Sequence, residues 1–117
     1  MSAGGNGASQ PAAEAGPLYR APVAIVARIL VEPADQVDHD RLQSAVESRL
    51  HDLGGPPDGL MVHVGHPHGR GFMIVEAWRT EDLFRSYLEE LLLPALSEAG
   101  LVAGDAEIGP AWSIARP

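Results

Sequence analysis

The sequence predicts an α+β domain with the element order βαββαβ. Right-handed crossovers turn that order into a ferredoxin-like, four-stranded antiparallel sheet with two helices on one face. Three observations carry the prediction. "VAIVARILVE" is a β-branched, apolar stretch. "LMVHVG" and "GFMIVEAW" flank a turn punctuated by Pro and Gly. A helical period follows both the first and the third of these strands.

The first strand starts near Pro22. Val23, Ile25, Ala27, Ile29 and Val31 fall on one side of it, and Ala24, Val26, Arg28 and Leu30 on the other, so it is expected to be covered on both faces. Pro33 ends it. Asp38 then suits an N-cap, with Val37 and Leu42 placed as a hydrophobic staple. Leu42, Ala45, Val46, Arg49, Leu50 and Leu53 keep the 3.6-residue period, giving a helix over 39–53 that stops at Gly54 and Pro56. Strands at 60–65 and 71–78 enclose the turn "HPHGRG". Thr80 caps the second helix, whose buried stripe is Leu83, Phe84, Tyr87, Leu88, Leu91 and Leu92. Pro94 is expected to kink or split that helix, and Gly100 to stop it. A weaker strand at 106–116 completes the sheet, with Pro110 marking an edge or a bulge. Residues 1–20, rich in Gly, Ala, Ser and Pro, are expected to form a flexible tail before a domain spanning 21–117.

The open face of such a sheet is apolar in its first and third strands. A lone chain would expose a large greasy surface, so the expected state is an isologous homodimer packed sheet to sheet.

Composition narrows the function. The chain has 117 residues and a formal net charge of −8, which disfavours nucleic acid as a partner. All its basic side chains are arginines, which with the abundant Ala, Gly and Pro suggests a GC-rich bacterial gene. With no cysteine, thiolate metal sites, iron–sulfur clusters and cysteine nucleophiles are excluded. No apolar run reaches the roughly 18 residues of a membrane span, and no secretory signal is visible, so no membrane partner and a cytoplasmic location are expected. A Gly-rich nucleotide fingerprint is missing, since "GHPHGRG" lies in a hairpin and lacks the P-loop Lys-Ser/Thr.

Several side chains are candidates for a site. Trp78 shares strand parity with Phe72, Ile74 and Glu76, and either walls a ligand pocket or fills the core. Glu76 is either a buried proton acceptor or a carboxylate paired with an arginine such as Arg28. His63 sits mid-strand, where a neutral imidazole abstracts a proton near pH 7 or is simply satisfied in the sheet. Tyr87 either orients a substrate oxygen or packs with its hydroxyl at the rim. His63, His66 and His68 form H-x2-H-x-H, but Pro67 breaks the pattern and no carboxylate follows at a familiar spacing, so no metal site is expected. Trp112 reads as packing, with a dimer contact as one place for it, and His39 and His51 read as exposed.

Three fragments together resemble the antibiotic-biosynthesis monooxygenase-like proteins of the dimeric α+β barrel superfamily. They are "VAIVARILVE", "PDGLMVHVG" and "GFMIVEAWRTEDLFRSYLEELLLPAL", within residues 22–116. The carrying motif is Val75-Glu76-Ala77-Trp78-Arg79-Thr80-Glu81 followed by Phe84 and Tyr87. The resemblance implies a pocket between sheet and helices and a hydrophobic, aromatic or polyketide-like small molecule. It implies cofactor-independent oxygenation, cyclisation, or ligand binding without catalysis. His63, Tyr87 and Glu76 are then the catalytic candidates, and Trp78, Phe84 and Phe72 the substrate-binding ones. The family's haem-degrading members need a helix histidine, which this helix lacks, so no cofactor is expected.

Overall fold

The structure, a computed structural model, describes residues 23–115. The expected tail at 1–20 lies outside the described residues. The elements are β1 (Ile25–Val31), α1 (Gln36–Asp52), β2 (Leu60–His68), β3 (Gly71–Trp78), α2 (Glu81–Tyr87), α3 (Leu93–Ala99) and β4 (Glu107–Pro110). The sheet is antiparallel throughout, in the order β2-β3-β1-β4. This is the ferredoxin-like arrangement.

Alternation along the strands divides the sheet into two faces. Ile25, Ala27, Ile29 and Val31 of β1 and Phe72, Ile74, Glu76 and Trp78 of β3 are buried beneath the helices. Leu42 and Val46 from α1, and Phe84, Tyr87, Leu91, Leu92, Ala95 and Leu96 from the second helical segment, close the core from above. Nothing among the described residues covers the opposite face. Val26, Leu30, Met73 and Val75 are half-buried there, and Val62 and Val64 are 40% and 46% exposed. The described residues therefore cover β1 on one face only.

Local chemistry moves several boundaries. α1 begins three residues earlier than its period suggests. Asp35, not Asp38, is the N-cap, and the two form a reciprocal capping box in which each carboxylate accepts the other's backbone N–H, at 2.8 and 3.0 Å. Val37 and Leu53 are left 71% and 76% exposed, so neither the staple nor the last position of the stripe forms. Arg41 ties α1 to the end of the second segment by donating to the Ala99 carbonyl at 2.7 Å.

The hairpin is tighter than "HPHGRG" suggests. β2 continues through His68, and only Gly69 and Arg70 form the loop. Pro67 is tolerated because β2 is an edge strand. Gly69 adopts φ +56°, which a glycine accepts readily. At Gly71 any Cβ would stand 1.9 Å from the Val31 carbonyl oxygen, so the crossing of β3 over the end of β1 demands glycine.

Thr80 caps α2 by accepting from Leu83 N–H at 3.2 Å. The segment then widens into a π-type turn over Leu88–Leu92 before α3. Pro94 explains the break: it has no N–H for the Glu90 carbonyl and crowds the preceding turn. Gly100 ends α3 at φ +71°. β4 is shorter than the expected 106–116, running only from Glu107 to Pro110, and Trp112 beyond it is 93% exposed rather than packed.

Candidate functional site

Register across the hairpin builds the site. Counting back from the two-residue loop, His63 stands opposite Glu76, Gly65 opposite Ile74 and Pro67 opposite Phe72. A bulge between Leu60 and Val62 keeps this phase while letting Leu60 face Trp78. His63 thus points to the helix side, whereas His66 and His68, at the other parity, project from the opposite face with ring centroids 6.0 Å apart. The three histidines do not converge, and no cluster of three metal-ligating side chains occurs among the described residues.

Glu76 is 1% exposed and is held at both oxygens. Its Oε2 lies 2.8 Å from His63 Nδ1, and its Oε1 accepts the Trp78 indole N–H at 3.0 Å. The arginine pairing is overturned: Arg28 faces the opposite side of the sheet, across from Val75 and Glu107. An ionised Glu76 accepts and does not donate, which places the proton of a neutral His63 on Nδ1 and leaves Nε2 with its lone pair. The hydrogen bond to Glu76 raises the His63 pKa above its ordinary value; partial burial opposes this, and the Glu76 charge adds to it. The ring is about a third exposed (32%), so it meets both the carboxylate and the space outside.

That space is a cleft of about 220 Å³ between β2–β3 and α1, mostly apolar in lining. His63, Glu76, Phe72 and Tyr87 all border it, with Leu42, Val46 and Ile74. Burial pushes the Tyr87 phenol well above its ordinary pKa, and the Glu76 charge pushes the same way, so Tyr87 stays a hydrogen-bond donor. Trp78 and Phe84, both wholly buried, stand behind this group. Trp78 packs on Tyr87 at 4.9 Å between ring centroids and on Phe84 at 5.9 Å. Trp78 reaches a separate depression of about 280 Å³ with Leu50 and Leu83, and Tyr87 borders both spaces.

His39 was expected to be exposed, yet its ring packs edge-on against Phe72 at 5.0 Å and borders the cleft. The sequence held a signal for it: His39, Leu42, Gln43, Val46 and Leu50 fall on one helical stripe, and all five line the cleft. Beginning α1 at residue 39 hid that position.

With this geometry in place, solved structures give the comparison. SnoaB, a cofactor-independent oxygenase from Streptomyces nogalater, is similar at 15% identity and a TM-score of 0.52, over 79% of this chain and 94% of that one. The ferredoxin-like fold of that protein is the fold of this chain. A protein of unknown function from Nitrosomonas europaea shares it at 20% identity and a TM-score of 0.56, over 81% and 93% of the two chains. So does one from Bacteroides thetaiotaomicron described as a possible oxidoreductase, at 14% identity and 0.52, over 78% and 100%. Family models and curated proteins give no match. No helix among the described residues is long and apolar enough to cross a membrane.

Proposed function

We propose that this chain is a small homodimeric enzyme that oxygenates a hydrophobic aromatic or polyketide-like substrate without a cofactor. The observation that carries the reading is the relay from the Trp78 indole through Glu76 to His63, which ends at an apolar cleft. A carboxylate that orients an imidazole and raises its proton affinity makes that imidazole a better base.

The chemistry starts with His63 Nε2 taking a proton from a phenol or from an acidic CH2 flanked by aromatic rings. Tyr87 donates to the substrate oxygen, where negative charge develops. Phe72, Leu42 and Ile74 hold the ring system away from water, and Trp78, backed by Phe84, fixes the carboxylate. The anion passes one electron to O2, the two radicals combine at carbon, and the peroxide regains a proton from His63. Loss of water leaves a carbonyl. The net change is CH2 plus O2 to C=O plus H2O, with every electron drawn from the substrate. The shared fold of a cofactor-independent oxygenase supports this reading, as does the bare apolar sheet face for the homodimer.

One further reading has a specific observation behind it. A base facing a neutral phenol donor also suits an enolate, so aldol-type cyclisation is open to the same residues. Oxygen uptake with dithranol, a three-ring anthrone, tests between them in wild type and His63→Ala. Uptake in wild type that falls by about 10²-fold or more in the variant supports the oxygenase. Lack of uptake by wild type counts against it for anthrones, and full activity in the variant removes His63 from its role.

A further inference from the structure

Outside the cleft lies a second chamber of about 400 Å³, between the start of α1 and the end of the hairpin. Asp35, Gln36, Gly65, His66 and Pro67 border it, and two residues border both spaces: His39 and Phe72. The wall between the two is therefore the edge-to-face pair of the His39 and Phe72 rings. Phe72 is 4% exposed and belongs to the core, so it is fixed. His39 is the movable half. Its ring is held from outside by Nδ1–H donation to Asp40 at 3.0 Å, and that carboxylate is 66% exposed. Exposed contacts of this kind hold a side chain weakly.

The far edge of the ring rests on Gly65. A Cβ built there would stand 2.8 Å from His39 Nε2 and 3.4 Å from Cδ2. The missing side chain at Gly65, next to His63 on the same face of β2, is what lets the imidazole close the wall.

We propose that His39 determines how long a ligand this site accepts. Seated on Gly65, it closes the inner cleft around a short apolar ring system; displaced, it joins cleft and chamber into one groove. That groove takes an elongated amphiphile, with a phenolic head beside His63 and its far end among Asp35, Gln36 and Pro67. The proposal rests on the cleft being the substrate site, but not on any turnover.

The test is calorimetric binding of a 4-alkylphenol series from ethyl to octyl to the full chain. Each methylene that finds apolar wall improves Kd by about fourfold. Wild type is expected to gain up to a certain chain length and then stop. His39→Ala removes the partition, and Gly65→Ala evicts the ring while keeping the imidazole, so both should carry the gain at least two methylenes further. Gly65 has no positive φ, so alanine is acceptable there. An equal break point in all three proteins overturns the partition and leaves the site reading intact. A shift in His39→Ala with none in Gly65→Ala also overturns it, since the steric account requires both. Failure of every phenol to bind wild type overturns the inner cleft as a substrate site, and the partition with it.

Discussion

His63 and Glu76 face each other across β2 and β3, and the 2.8 Å contact between Nδ1 and Oε2 joins an edge strand to a central one. One partner is wholly buried and the other reaches the cleft, so a charge inside the fold controls a ring at its surface.

Glu76→Gln keeps the shape and removes the charge. The His63 pKa, followed by NMR, should fall from its raised value, and kcat/KM on an anthrone should drop by about 10-fold or more, towards the ~10⁴-fold lost when a catalytic imidazole loses its orienting carboxylate. Glu76→Ala should also destabilise the fold by about 1–3 kcal/mol, because the Trp78 N–H loses its buried acceptor. An unchanged His63 titration in Glu76→Gln would refute the coupling.

The same contact sets opposite pH trends for stability and activity. The folded-state pKa of His63 is raised above the ordinary 6.5. Its stabilisation is therefore fully present below about pH 6.5 and is lost as pH rises through the folded value. Base catalysis requires the neutral ring, so activity rises through that same folded value. Denaturant midpoints and pH–rate profiles should cross in this manner in wild type. The stability trend should flatten in His63→Gln.

Tyr87→Phe separates packing from chemistry. The ring stack on Trp78 is retained, so stability should change by no more than about 1 kcal/mol. Turnover should fall while the melting temperature holds. Tyr87→Ala, which empties a buried aromatic site, should cost about 3–5 kcal/mol.

Val64→Asp places a charge on the bare sheet face, opposite Val75. Light scattering should show wild type with the mass of two chains and the variant with that of one. A wild type with the mass of a single chain ends the homodimer reading.

Much of this architecture was legible in the sequence, and the reasons are local. Alternating β-branched residues mark β1 and β3, and Thr80 caps α2 in the expected way. Pro94 and Gly100 break and stop the second helical segment where chain chemistry requires. The misplaced features depended on longer range. Asp35 and Asp38 are both good caps, and only their reciprocal bonding decides between them. Pro67 looked like a turn residue because edge position is invisible before the sheet order is known. Arg28 is a plausible partner for Glu76 by sequence, but strand parity and a two-residue loop at Gly69-Arg70 together put the carboxylate opposite His63. His39 is a related case: as the first residue of a helix over 39–53 it reads as an exposed end, whereas a start at Gln36 sets it nearly one turn in, on the stripe.

β2 carries one further consequence. Among the described residues it is bonded to a neighbour along one border only, while Glu76 and Trp78 lie in the interior of the sheet. Transient fraying of the hairpin therefore uncouples the imidazole from its carboxylate without disturbing the latter. A guest lodged between β2 and α1 would clamp that border, and amide hydrogens from Val62 to Val64 would exchange more slowly in its presence. The imidazole and its edge strand would thus be stabilised by the same event, so a base at His63, as proposed, would be held most firmly when a substrate is there to use it.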